Sequence, residues 1–294
     1  MSRMLFASST IALAAIIGAA SVHAQAPPQP TFATTKVADN VYMFRYEGHQ
    51  AMFVVTSEGV IATDPISENR PAAAAYLAEI RKVTQAPIRY VIYSHGHADH
   101  IAGGKPFKDA GAIFVAHRLA KESLAKESLA KMNRADIVPV DETVDDKRTI
   151  TLGGTEVELL YVGKNHSDNT LVVRLPRERI IFTVDFVPVA SVQFSNMPDS
   201  YLPDWDESLK RVLALEWDRM IPGHGRIGTK QDVQNLMGYM QDLSAEVKKA
   251  ADAGKCPDAA KAEVKLPKYA SWTNYERYLP GNIERYCTCW TKGQ

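Results

Sequence analysis

Apolar positions along this chain recur in short β-branched and aromatic runs, separated by turn residues and by a few stretches of helical period. Residues 41–46, 51–56 and 60–64 are three such runs, with Ser57-Glu58-Gly59 between the last two. They predict a meander of strands ending in a hairpin. Residues 71–83 switch to helical spacing, with Pro71 suited to a first turn. Arg89-Tyr90-Val91-Ile92-Tyr93 then reads as a buried strand. After it the pattern predicts a short helix over 101–110, a strand over 113–116 and a helix over 119–132. That last helix contains Leu119-Ala120-Lys121-Glu122-Ser123, repeated at once as Leu124-Ala125-Lys126-Glu127-Ser128. Two units this short make no solenoid; they describe a helix with one solvated side.

The period shortens again over 149–152, 157–162, 171–175 and 180–184, with turns at Gly153-Gly154 and Pro176-Arg177-Glu178. A helix over 206–217, a short strand over 219–221 and a turn at Pro222-Gly223-His224-Gly225 follow. Residues 229–254 form a long helix with Thr229 as its N-cap. Strands with helices between them, twice over, fit two packed sheets with helices outside, an α/β fold.

The ends differ in composition. Residues 1–24 carry Arg3, an apolar stretch over 11–20 and small residues before Gln25, the pattern of a removable export signal. The stretch is too short to span a bilayer, which takes ~20 apolar residues. Residues 25–36 open with Gln25-Ala26-Pro27-Pro28-Gln29-Pro30 and read as a flexible spacer. One domain over 37–254 and an aromatic, partly helical tail over 255–294 packed on it complete the chain. The 34 basic and 34 acidic residues cancel, so nothing in the charge invites nucleic acid or a membrane surface. A small-molecule substrate is the expected partner, in the periplasm or outside the cell. Cys256, Cys287 and Cys289 are the only cysteines. In an oxidising compartment a bridge from Cys256 to one of the other two would pin the tail; three free thiols are the alternative.

The chemistry concentrates at Ser94-His95-Gly96-His97-Ala98-Asp99-His100, directly after the strand over 89–93. Alternate side chains of an extended segment point the same way, so His95, His97 and Asp99 converge while a helix start lets His100 swing back. Three of the eight histidines fall within six residues here, which separates the run from a surface loop that happens to hold histidine. Imidazole and carboxylate are donors for a borderline cation such as zinc. Four donors in one run, with more elsewhere, point to two ions. His166, Asp185 and His224 each follow a later predicted strand. Singly, a histidine in a Gly loop is more often a turn residue and an aspartate after a strand more often a cap.

In this order, His95-Gly96-His97-Ala98-Asp99-His100, then His166, Asp185 and His224, the chain resembles the metallo-β-lactamase-fold hydrolase superfamily over roughly 37–245. The resemblance implies a four-layer αββα sandwich of two mixed β-sheets flanked by helices, with metals at one edge. It implies two Zn2+ per chain, with iron or manganese as alternatives. One would sit on His95, His97 and His166 and the other on Asp99, His100 and His224, with Asp185 bridging. Asp99 and Asp185 would be the catalytic carboxylates, fixing the ions and the attacking hydroxide between them. Asp64 would steady the metal loop from outside. His117 reads as structural, and His49 matches no ligand position. Asp185 stands where two of three β-lactamase subclasses use a Cys ligand, which favours esters, lactones or thioesters. A β-lactamase of the subclass without that cysteine, an iron-dependent sulfur dioxygenase and a binding protein on the same fold stay open. Residues 194–205 read as a lid or a plain excursion. The tail aromatics Tyr269, Trp272, Tyr275 and Tyr278 read as helix packing or as the far wall of the pocket.

Overall fold

The computed structural model describes residues 31–67, 71–126 and 137–293. The expected export signal, residues 25–30 of the spacer and residues 127–132 of the helix expected over 119–132 lie outside them; the described part of that helix is α4 (Arg118–Lys126).

One sheet holds β1 (Phe32–Lys36), β2 (Val41–Tyr46), β3 (His49–Thr56), β4 (Gly59–Thr63), β5 (Ile88–Ile92), β6 (Ile113–His117) and β7 (Glu142–Val144), in that order. β1 to β4 pair antiparallel, then β4 to β7 pair parallel. The change of direction follows from chain length: α1 (Ala72–Val83) carries the chain back across the sheet, as a parallel connection requires. The second sheet holds β8 (Lys147–Leu152), β9 (Thr155–Tyr161), β10 (Leu171–Leu175), β11 (Ile180–Val184) and β12 (Arg219–Pro222). Its strands are antiparallel except β11 and β12, which are parallel across α5 (Leu202–Ala214).

Period-two alternation feeds three apolar layers. Met43, Val54, Ile92 and Val115 of the first sheet meet Leu159, Val173, Ile180 and Phe182 of the second. Their neighbours Phe44, Phe53, Val91 and Phe114 point outward against Tyr76 and Ile80 of α1 and Phe107 of α3 (Lys105–Asp109). Leu160, Val172 and Ile181 point the other way, against Trp205, Leu209 and α6 (Lys230–Asp252). The order helix, sheet, sheet, helix is the αββα sandwich. Central strands are apolar on both faces because both faces are covered.

Four expectations change. The spacer ends before Phe32: Phe32–Lys36 pairs with β2 from Phe32↔Tyr46 to Lys36↔Tyr42. This edge strand is mostly exposed, so ladder bonds and Phe32 stacked on Tyr46 form it, and no burial pattern marks it. β7, three residues at the other edge, is unmarked for the same reason. The helix expected over 101–110 is two short ones, α2 (Ala98–Ile101) and α3, broken at Gly103-Gly104. Gly103 has φ +82°, and a Cβ there would lie 2.1 Å from the Ser67 Cβ. α5 starts at Leu202, with Pro203 in its first turn and Trp205 buried, so residues 202–205 belong to a helix rather than a lid.

The tail is ordered. α7 (Asp258–Glu263), a 3₁₀ turn at Pro267–Tyr269 and α8 (Tyr275–Lys292) follow α6. Leu279, Ile283 and Tyr286 of α8 join the outer layer of the second sheet with Leu236, Tyr239 and Leu243 of α6. Tyr269 and Tyr275 are buried there, and Trp272 and Tyr278 pack against it. Cys256 is bonded to Cys287 and Cys289 is free. The bond closes a loop of 31 residues in sequence separation. Replacing both cysteines with serine is expected to cost about 2–4 kcal/mol, mostly through the unfolded chain. The urea midpoint reads this, and an unchanged midpoint would mean that packing against α6 alone holds the tail.

Candidate metal centre

Parallel neighbours end at the same edge of a sheet. Asp64 follows β4 and the histidine run follows β5, so the two segments leave the first sheet side by side. The Asp64 carboxylate accepts from the Ser94 N–H at 2.8 Å and the Ser94 hydroxyl at 2.6 Å, and faces His100 Nδ1 at 3.2 Å. His97 precedes the single turn of α2, which carries Asp99 and His100; the N–H groups of His100 and Ile101 donate to the His97 carbonyl. In the second sheet β11 and β12 are the parallel pair, and Asp185 and His224 follow their ends. His166 comes from the loop between β9 and β10. Asn169 of that loop accepts the Gly96 N–H at 2.9 Å, which ties it to the histidine run.

Two local features deliver Asp185. Val184 has φ +46°, a strained conformation for a β-branched residue, and the chain turns out of the strand there. Gly223 donates its N–H to the Val184 carbonyl at 2.9 Å. A Cβ on Gly223 would lie 2.2 Å from Asp185 Oδ1, so only glycine leaves room for the carboxylate.

The seven expected side chains come together in two groups. Donor atoms of His95, His97 and His166 lie within 4.8 Å of one another, as do those of Asp99, His100, Asp185 and His224. Asp185 Oδ2 stands 3.2 Å from His100 Nε2 in its own group and 3.9 Å from His166 Nε2 in the other. The donors fit a cation. His95 Nε2 and Asp185 Oδ1 are buried without a hydrogen-bond partner, and His166 Nε2 approaches His97 Nδ1 to 3.0 Å. A buried acceptor left unsatisfied costs about 1–3 kcal/mol, and a cation is a partner that imidazole and carboxylate lone pairs can share.

Electrostatics sort the donors. Burial, then repulsion from His97, His100 and His166, drives His95 well below the ordinary histidine range. Burial pushes His166 down to about 4, so both rings are neutral lone-pair donors at physiological pH. Burial also pulls on His97, but the hydrogen bond and charge of Asp199, with Asp185 and Asp99, raise it. His100 is likewise raised well above the ordinary range, its burial outweighed by Asp185, Asp64 and Asp99. Burial alone would raise Asp185; His100 and His224 hold it well below the carboxylate range.

Three groups at the centre escape a reading by motif. Asp199, 102 residues from His97, places Oδ2 at 2.5 Å from His97 Nε2. Nothing marks it in sequence beyond its place in the long loop after Asp185. The Gly48 carbonyl accepts from His224 Nδ1 at 2.7 Å, and His49 Nε2 lies 3.3 Å from Asp99 Oδ2. The available signal is the tight Glu47-Gly48 turn between β2 and β3, which sets the Gly48 carbonyl and His49 at a hairpin tip. His117 is away from the centre, stacked on Tyr161 at 4.2 Å between ring centroids.

The glycines give a paired test. Gly223→Ala is expected to displace Asp185 and cut metal uptake. A Cβ at Gly96 would meet Asn169 at 3.6 Å, ordinary contact, so Gly96→Ala keeps wild-type uptake. Metal analysis of the two purified variants decides it; equal uptake would contradict the packing of Asp185 against Gly223.

A family model described as the metallo-beta-lactamase superfamily matches residues 46–224. The chain is 26% identical over 197 residues to the 2,4-dinitroanisole O-demethylase subunit alpha of Nocardioides sp. (strain JS1661), an alignment covering 67% of this chain and 58% of that one. It is 30% identical over 185 residues to a type 2 metallo-beta-lactamase of Bacillus sp. (strain 170), covering 60% of this chain and 66% of that one. It therefore spans less than two thirds of either relative. The solved metallo-beta-lactamase from Pontibacter korlensis superposes with a TM-score of 0.62 at 21% identity, over 72% of this chain and 99% of that one. That likeness is one of fold. With the family model matching more than half of its length and a His/Asp metal-binding cluster at the shared edge of its sheets, the chain belongs to the metallo-beta-lactamase superfamily.

Proposed function

We propose that this protein is an exported, metal-dependent hydrolase that holds two zinc ions and cleaves an acyl bond in a small molecule, with esters, lactones and thioesters favoured. The observation that carries the reading is Asp185, one carboxylate within 4 Å of a donor in each group. His95, His97 and His166 would hold one ion, Asp99, His100 and His224 the other, and Asp185 both. Five imidazoles and two carboxylates form a zinc donor set. When bound, such a pair polarises a carbonyl and lowers the pKa of a water towards neutrality.

The chain's own residues then have defined tasks. Asp99 and Asp185 accept hydrogen bonds from the attacking water and orient it. Asp64 and the Gly48 carbonyl keep protons on the outer nitrogens of His100 and His224, so the inner nitrogens remain donors. No side-chain nucleophile is required. Ser94, His95 and Asp64 share hydrogen bonds, but Ser94 is fully buried and its hydroxyl is committed to Asp64. The cysteines lie in the tail, two of them in a disulfide.

A carboxylate at 185 in place of cysteine favours bonds to oxygen or sulfur. Relatives named as an O-demethylase and a linear primary-alkylsulfatase agree with oxygen. Type 2 metallo-beta-lactamases at 30% and 29% identity favour a second reading, a β-lactamase without the cysteine ligand. The export signal over 1–24 and the Cys256–Cys287 bond support an oxidising compartment.

The signal-free protein is expected to purify with zinc and to hydrolyse a member of an ester, lactone and thioester panel faster than a chromogenic cephalosporin. A chelator abolishes the activity and zinc restores it. His97→Ala is expected to lose one ion and lower kcat/KM at least ~100-fold, the scale of a misplaced reacting group. Full metal content and activity in His97→Ala contradicts the mechanism. Iron without hydrolysis, or silence across the panel, contradicts a zinc hydrolase.

A further inference from the structure

The loop between Asp185 and α5 lacks helix and strand, yet it carries the carboxylate that touches His97. Its backbone does not favour the shape it holds. Ala190, Ser195 and Met197 have φ of +47°, +44° and +45°, conformations that persist in residues other than glycine only where the surroundings enforce them. Asp199 is itself half exposed, at 53%, so its direction depends on the backbone that presents it.

The surroundings are one face of α8. Asn282, fully buried, donates both amide hydrogens to the loop, to the Gln193 carbonyl at 2.9 Å and the Ser195 carbonyl at 2.6 Å. Its oxygen accepts from the Tyr239 hydroxyl of α6 at 2.7 Å, so the amide is anchored from behind. Arg285, one turn from Gly281, donates to the Met197 carbonyl at 3.3 Å and the Ser200 carbonyl at 2.8 Å, either side of Asp199. Gly281 allows the approach: a Cβ there would lie 2.8 Å from the Ser195 carbonyl. The bond from Cys256 to Cys287 fixes this part of α8. All of these α8 residues lie outside residues 46–224, which the family model matches.

We infer that α8 positions the ligand His97: Asn282 and Arg285 hold the loop, the loop aims Asp199, and Asp199 keeps His97 Nδ1 turned towards His95 and His166. The inference rests on the proposed pair of ions. Its mark is selectivity. Asp99, His100, Asp185 and His224 have supports of their own: His49 beside Asp99, Asp64 behind His100, the Gly48 carbonyl behind His224, and Gly223, bonded to Val184, beside Asp185. Loosening α8 therefore weakens one ion and spares the other.

Titration of the metal-free, otherwise intact protein with Co2+, followed by absorption, separates the two ions. Asn282→Ala and the milder Arg285→Gln are expected to weaken the ion at His95, His97 and His166 by about 10–100-fold, the usual effect of losing support behind a ligand. The other ion keeps wild-type affinity. Arg285→Lys, which retains a donor, recovers part of the loss. Tyr239→Phe cuts the other bond of Asn282 without touching the loop; it is expected to lower the urea midpoint and leave both affinities alone. Wild-type affinities in Asn282→Ala and Arg285→Gln overturn the inference. Equal weakening of both ions, or a Tyr239→Phe that matches Asn282→Ala, overturns it too by making α8 a general stabiliser. A wild-type protein that takes up fewer than two ions overturns the dinuclear reading first, and the variants are then not needed to tell the failures apart.

Discussion

Five imidazoles and two carboxylates with their donor atoms gathered together are a costly arrangement in a largely buried place. Desolvation disfavours the charge on each carboxylate, and His95 and His166 are held as neutral rings with their lone pairs inside the cluster. Contacts within the cluster, such as those of His100 and His224 with Asp185, do not by themselves fix its geometry. It is held by what lies behind it, and most of the architecture around the sheet edge serves that purpose. The two parallel strand pairs, β4 with β5 and β11 with β12, set the coarse position by ending at one edge. Strain at Val184 and the missing side chain at Gly223 then aim one carboxylate between the two groups.

Behind three of the histidines stand oxygen atoms that decide which ring nitrogen looks inward. Asp64 backs His100, Asp199 backs His97 and the Gly48 carbonyl backs His224. Each comes from a different part of the chain: a strand end, a long loop and a hairpin tip. The hairpin is tied down in turn, since Gln50 donates its N–H to the Gly223 carbonyl and its amide to the Pro222 carbonyl. The centre is thus a meeting of supports, and a ligand fails when its support moves even if its own residue is intact.

Much of this could be read from the residues alone. The run from His95 to His100 follows an apolar strand, and period two says how its side chains converge. The central strands were marked by apolar runs because burial on both faces leaves that trace. What could not be read was held together by something other than burial. β1 and β7 are edge strands made by ladder bonds, and α5 begins four residues early because Leu202 and Trp205 dock on the core and Pro203 suits its first turn. The disulfide partner of Cys256 was undecided because both candidates lie two residues apart on α8. Asp199 reaches the centre through loop geometry, which no spacing encodes, and His49 through its place at the hairpin turn rather than through a ligand motif.

Anomalous scattering at the zinc edge from crystals of the signal-free protein tests the central claim most directly. Two peaks about 3.5–4 Å apart are expected, one bounded by His95, His97 and His166, the other by Asp99, His100 and His224, with Asp185 reaching both. A single peak, or two without Asp185 between them, would contradict a dinuclear centre built on that carboxylate.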